Sequence, residues 1–293
     1  MNAPFSTIAL IGKPDADRIA ETLSRIHRHL DAQGYRVLVE SSCAGYLPAQ
    51  AEICSIDDIG RRAQVAIVVG GDGTLLTTAR ILIDSGIPLI GVNLGRLGFL
   101  VDISPDEATT RLDEMLTGRF QSEERPLLHA EVIRDGAVLH EQTSVNEVVV
   151  HSLNATSMIE IETSIDGAFL NSQRSDGLIV STPTGSTAYA LSAGGPILHP
   201  ALDALVLAPI NPHTLTNRPI VISGESLIEI AFRPGKQRRA QVVCDNVALP
   251  DVSLSDRLRI RKHRHSLRML HPVDHDFFAI LRSKLNWSSG NRN

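Results

Sequence analysis

The stretch VAIVVGGDGTLL, residues 65–76, breaks an apolar run on three glycines around a single acid, Asp72. Glycine lets a chain turn sharply and lets a ligand approach its backbone, so a glycine-framed acid at a strand end points to a site. An acid beside bound phosphates is repelled by them unless it holds a divalent cation or takes a proton from an attacking hydroxyl. A helix N-terminus, expected at Thr74, would offer such a phosphate free N–H groups and the positive end of a dipole. The plainer alternative is a tight strand-to-helix turn that Asp72 merely caps.

Two further stretches concentrate polar residues where apolar ones would be ordinary. VNEVVV (145–150) sets Asn146 and Glu147 at the head of an apolar strand. QRSDGLIVSTPTGSTAYALSAGGP (173–196) packs Arg174 and Asp176, a strand, a Thr/Ser/Gly turn and a small-residue helix start into two dozen positions. Each has a bland local reading as a cap, a surface ion pair or core. Two common nucleotide loops do not fit. Counting from Gly71 and Gly73, the third glycine of a dinucleotide fingerprint falls on Leu76, and the motif follows the third strand instead of the first; Gly12-Lys13 is followed by Pro14 and preceded at P-loop spacing by Thr7.

The elements that must position these residues change character near residue 125. TIALI (7–11), RVLVE (36–40), VAIVV (65–69) and PLIGV (88–92) read as strands, with Ile19, Leu23, Ile26 and Leu30 on one helical face closed by Gly34 and a second helix over 74–84. Near-continuous apolar strands joined by helices predict an α/β N-terminal domain with a parallel sheet, residues 1–124. MIEIETSID (158–166) instead alternates with period two, and Asp135-Gly136 and Asp166-Gly167 mark hairpins, which predicts a mostly antiparallel β C-terminal domain over 125–273. Phe277, Phe278, Leu281 and Leu285 are spaced for a C-terminal helix within 274–293 that completes the first domain.

Composition narrows the classes. With 28 Lys+Arg against 33 Asp+Glu the formal charge is −5, which gives no broad reason to expect nucleic acid or membrane as a partner. Hydrophobic content of 43% with 4% aromatic suits a soluble α/β enzyme. Cys43, Cys54 and Cys244 form no CxxC and are expected reduced and buried; HRHL and HPVDH lack zinc-enzyme spacing and are read as surface or packing histidines. In RLRIRKHRHSLRML (257–270) apolar and basic residues alternate, so a strand with a solvated cationic face is expected. The N-terminus has no basic region before a signal-length apolar run, and no stretch of about 18 apolar residues occurs, so a cytoplasmic location is expected.

GGDGT (70–74), NLGRLGFL (93–100), VNEVVV, the 173–196 stretch and PHTLTNRPIV (212–221), in this order over nearly the whole chain, resemble the bacterial ATP-dependent NAD kinase family. That resemblance implies a phosphotransferase that moves the γ-phosphate of ATP to the 2′-hydroxyl of the adenosine ribose of NAD, giving NADP. It implies Asp72 as catalytic base, Gly73 lining the same ribose and phosphates, and Asn146 and Glu147 on adenine and the ribose hydroxyls. An amide reads a base edge, and a carboxylate accepts both donors of a vicinal diol. Arg174 and Asp176 would face the ligand, the acid toward nicotinamide, and Thr187, Ala188, Tyr189, Ala190, Leu191 and Ser192 would form the adenine and nicotinamide pocket. Ser157 stands where the family often has histidine, and Asn246, in the shortened turn CDNVALP (244–250), would replace a glutamine. Mg²⁺ or another divalent cation with unassigned ligands, small nucleotides as partners, and a homotetramer or homodimer are further implications. A lipid kinase of the diacylglycerol type shares GGDGT but needs no nucleoside-reading pair, whereas a non-catalytic NAD(P) sensor could dispense with Asp72.

Overall fold

The computed structural model describes residues 4–14, 18–95, 97–153, 158–233 and 240–287. The chain forms two compact units, Met1–Glu124 with Leu267–Asn293, and Arg125–Ser266.

In chain order the first unit begins with β1 (Thr7–Gly12), α1 (Ile19–Ala32), β2 (Arg36–Glu40), β3 (Glu52–Cys54), α2 (Ile56–Arg62), β4 (Val65–Val69), α3 (Asp72–Leu82), β5 (Leu89–Val92), α4 (Ala108–Leu116) and β6 (Gln121–Arg125). The second unit holds β7 (Leu128–Arg134), β8 (Ala137–Ser144), β9 (Glu147–Ser152), β10 (Ile159–Ile165), β11 (Ala168–Ser175), β12 (Gly177–Ser181), α5 (Tyr189–Ser192), β13 (Ala204–Ile210), β14 (Ile220–Ser223), β15 (Ile228–Phe232), β16 (Ala240–Cys244), β17 (Val247–Ala248) and β18 (Arg257–Lys262). The chain then returns to the first unit with β19 (Leu267–His271) and α6 (Phe277–Leu285).

The first unit is one seven-stranded sheet in the order β3-β2-β1-β4-β5-β19-β6, with β1 through β5 and β19 joined by parallel pairings. All five residues of β4 are buried, as expected of a strand covered on both faces. Ile19, Leu23, Ile26 and Leu30 of α1 pack with Ile8, Leu10 and Ile67. The helix ends before Gly34, whose φ of +81° satisfies the left-handed stop. Because β19 pairs beside β5, the second unit ends at Ser266 and not at 273. Helix α3 starts at Asp72, two residues before the expected Thr74, since Gly71 is already the extended cap and its carbonyl accepts from Leu75 N at 3.2 Å. In α6, Ile280 and Leu281 are buried while Phe278 is exposed, so the apolar face is rotated from the one read in the sequence.

The second unit has two six-stranded antiparallel sheets, β11-β10-β15-β18-β7-β8 and β14-β13-β12-β9-β16-β17. Their facing side chains, among them Val132, Ile161, Ile230 and Ile260 from one and Val148, Val180, Leu207 and Val242 from the other, form a single core. Both expected hairpin turns are present: Asp135 and Gly136 have φ of +51° and +81°, and Asp166 and Gly167 +52° and +79°. Left-handed φ at both central residues matches the twist of a two-residue hairpin. The outer face of β18 is cationic, but Arg259 and Arg261 lie 3.7 and 3.4 Å from Glu131 on the neighbouring β7. The second sheet is covered on its other face as well, where Val149, Ile179, Val206 and Ala208 pack with Ala190 of α5 and Leu198.

Candidate functional site

In the first unit the chemistry gathers at the C-terminal end of β4. Asp72 is half-buried, and its carboxylate accepts three backbone N–H groups: Phe99 on Oδ2 at 2.9 Å, and Leu100 and Val101 on Oδ1 at 3.0 and 3.2 Å. The donors are the last two residues of the NLGRLGFL stretch and Val101 after it, where the chain turns through a Gly98 N to Val101 O bond of 3.0 Å. Asp72 therefore does more than begin a helix; a neighbouring loop fixes both of its oxygens. Gly73 is exposed, and a methyl group built on it would meet no protein atom within 4 Å.

In the second unit Glu147, Val149, His151, Ser152, Asp176, Tyr189, Ile210, Asn211, Val243, Asp245 and Asn246 line a pocket of about 530 Å³. Glu147, Val149 and His151 lie along one face of β9 by the period of a strand. Across from them, the turn between β16 and β17 carries Asp245 at a φ of +50°, a conformation aspartate tolerates. Asp245 accepts from the backbone N–H groups of Val145, Asn146 and Glu147 at 2.9, 2.8 and 3.2 Å, and so locks the approach to β9.

Glu147 is 8% exposed, and its Oε2 is buried without a hydrogen-bond partner among the described residues. Burial, then the nearby charge of Asp245, push its carboxyl up to about 7, against a backbone N–H from Tyr189 that draws it down. A buried carboxylate with an empty acceptor costs free energy unless a ligand donates to it. Asp176 holds Asn211, whose Nδ2 donates to Oδ2 at 2.8 Å, and Tyr189 is 44% exposed.

Of the sequence candidates, the pocket brings together Glu147, Asp176, Tyr189 and Asn246. Asn146 lies beside it, holding Thr182 N with its backbone carbonyl at 2.9 Å. Arg174 is exposed on β11 opposite Glu160, and Ala190 is buried in the core behind the second sheet, so neither lines the pocket. Thr187, Ala188 and Leu191 are half-buried and Ser192 is exposed; none of the four is a lining residue. Ser157 lies outside the described residues. His151, Ser152, Asn211 and Asp245 were missed. The alternation from Glu147 could have given His151, but Asp245 and Asn211 directly follow β16 and β13, strands distant in sequence from β9.

The fold is shared with solved NAD and NADH kinases. A yeast NADH kinase complexed with NADH superposes with a TM-score of 0.89 at 24% identity, covering 100% of this chain and 90% of that one. An NAD kinase from Archaeoglobus fulgidus in complex with ATP gives 0.73 at 28% identity, covering 96% and 98%. Residues 8–120 match the ATP-NAD kinase N-terminal domain and residues 145–271 the ATP-NAD kinase C-terminal domain. An NAD kinase of Methylococcus capsulatus is 63% identical over 289 residues, 99% of this chain and 100% of that protein, and one of Colwellia psychrerythraea is 47% identical over 97% and 98%. The chain belongs to the NAD kinase family.

Proposed function

We infer that the chain transfers the γ-phosphate of ATP to the 2′-hydroxyl of the adenosine ribose of NAD, giving NADP. The observation that carries this reading is the buried, unpartnered Oε2 of Glu147 in a pocket of nucleoside size. A vicinal diol supplies the donors that this carboxylate lacks. Asp176 and Asn246 line the rest of the pocket, and Tyr189 offers a flat wall for a ring system. Membership of the NAD kinase family removes the lipid-kinase alternative.

Asp72 is the proton acceptor in this reading. A carboxylate has about four lone-pair sites, and three are filled by the N–H groups of residues 99–101. The fourth, on Oδ2, is left for a hydroxyl. The ribose hydroxyl need not ionise in advance; its proton passes to Asp72 as the bond to the γ-phosphorus forms. Gly73 and the start of α3 give phosphates access to backbone N–H groups.

A divalent cation would neutralise the triphosphate and supply Lewis-acid stabilisation. The two described groups of His, Asp and Glu close enough to share an ion do not include Asp72, whose carboxylate is largely taken up by backbone donors. These residues do not fit a protein-built Mg²⁺ cage at the glycine turn, so the ion enters with ATP as part of the substrate. A cytoplasmic location and a homotetramer or homodimer complete the proposal; light scattering of the purified chain tests the latter. Among the described residues no helix is long and apolar enough to cross a membrane.

The deciding experiment incubates purified protein with NAD, ATP and Mg²⁺ and reads NADP with a dehydrogenase that accepts only the phosphorylated cofactor. NADP formation that requires all three supports the reading, and its absence at micromolar enzyme overturns it.

A further inference from the structure

The histidines of HPVDH do not lie idle on the surface. His271, at the end of β19, and His275, just before α6, stack with ring centroids 4.0 Å apart. Both point Nδ1 at one oxygen of Asp102, at 2.9 and 2.6 Å. Three residues separated by 169 and 173 positions thus converge on a single point within the first unit. The side chain of Asp102 is 8% exposed, and its second oxygen, Oδ1, is buried without a hydrogen-bond partner among the described residues.

We propose that Asp102, His271 and His275 form a binding site for a divalent transition-metal ion, separate from the cation that accompanies ATP. One ligand atom from each residue lies within 4.8 Å of the other two. Ligands at zinc bond lengths of about 2.1 Å in a tetrahedron stand about 3.4 Å apart, so small side-chain adjustments suffice. Two imidazoles and one carboxylate are a donor set that suits zinc and its neighbours better than Mg²⁺ or Ca²⁺, which favour oxygen. The surroundings supply the second feature of such sites. Glu123 Oε2 lies 3.4 Å from Nε2 of His271, the arrangement in which a carboxylate orients a metal-bound imidazole and raises its basicity. A cavity of about 200 Å³, lined by Asp102, His275, Glu107 and Arg111 among others, gives an ion a way in. Arg111 is already engaged by Asp274 at 2.8 Å, so its charge is partly neutralised.

The other acid and histidine group, His129, Glu131 and Glu141, does not carry the same proposal, because Arg259 and Arg261 already lie against Glu131. At Asp102 an ion would tie the segment after β5 to the turn before α6. Its expected effect is therefore on stability of the first unit, with a metal-free protein that remains folded.

The test uses the full chain, stripped with a chelator and free of nucleotide, titrated calorimetrically with Zn²⁺ alone. Saturation at one ion per chain is expected, with affinity lowered at least tenfold in His275→Gln and Asp102→Asn, roughly tenfold in Glu123→Gln, and not at all in His129→Gln. A Zn²⁺-dependent rise in melting temperature should vanish in His275→Gln. No saturable binding, or binding undiminished in both His275→Gln and Asp102→Asn, overturns the site and leaves the trio as a hydrogen-bonded staple. Should the variants fail to fold, Co²⁺ with the unaltered chain decides. Intense visible bands of a four-coordinate ion support the site, and the weak spectrum of hydrated Co²⁺ overturns it. NADP synthesis is a separate readout, so its failure does not touch this result.

Discussion

Asp72 and Gly98 meet so closely that a Cβ built on residue 98 would stand 2.0 Å from the Oδ1 of the acid. The obstacle is the very group whose orientation the 99–101 N–H donors fix, so the absence of a side chain at 98 is a condition for the geometry of Asp72. Gly98→Ala should push the carboxylate off its three donors. We expect kcat to fall by about 10² or more from a displacement of about 1 Å, with a lowered melting temperature. Kinetics beside a melting curve check this; a folded variant with unchanged kcat would show that Asp72 tolerates displacement.

Asp72→Asn is a less innocent replacement than its shape suggests. One side of the amide would present N–H to an N–H donor, which loses a hydrogen bond and costs about 1–3 kcal/mol. Turnover should fall by roughly 10² to 10⁴ with NAD affinity kept. The control is chemical denaturation: the loss in stability must be too small to unfold the protein at assay temperature, and turnover near that of the unaltered enzyme would remove Asp72 from the base role.

Glu147 predicts a pH dependence of both stability and binding. Its carboxyl is raised to about 7 in the fold, so between the ordinary carboxylate range and 7 the native state holds a proton that the unfolded chain has lost. This contribution is fully present below the unfolded value and is lost as pH rises through about 7, an effect of up to about 3 kcal/mol. NAD binding runs the opposite way, since the diol needs an acceptor. Affinity should climb with pH up to about 7 and binding should release a proton, measurable as buffer-dependent calorimetric heat. Glu147→Gln should weaken NAD by about one to two orders of magnitude, abolish that proton release, leave ATP binding nearly alone and stabilise the free protein at pH 8. Unchanged NAD affinity in this variant would make Glu147 structural.

Arg134 and Asp256 test the frame beneath the pocket unit. Asp256 has no exposed side-chain surface and takes both Nε and a terminal nitrogen of Arg134 at 2.7 and 2.9 Å, with Ser253 N at 2.7 Å. Arg134→Met leaves a buried carboxylate short of two donors and should lower the stability of the folded chain. Urea unfolding measures this loss, while NAD affinity of the folded fraction should stay within about twofold.

What the sequence determined by itself was local and periodic. VAIVV reads as a strand covered on both faces, the alternation of MIEIETSID as a half-buried strand, and Asp-Gly at 135–136 and 166–167 as the left-handed φ values of a two-residue turn. The acids Asp72 and Glu147 stood out for the same reason, as charges where their segments should have been apolar. The tertiary structure decided whatever depended on residues far apart in the chain. Asp245 reaches Glu147 only because β16 pairs with β9, and Phe99 to Val101 reach Asp72 only after the turn at Gly98. His271 joins Asp102 because β19 pairs beside β5 in the first unit's sheet. A strand's period is written in its own side chains, but its neighbour is chosen by the burial and backbone pairing of the whole sheet. The partners that orient each charge, and raise or lower its proton affinity, are therefore set by the fold.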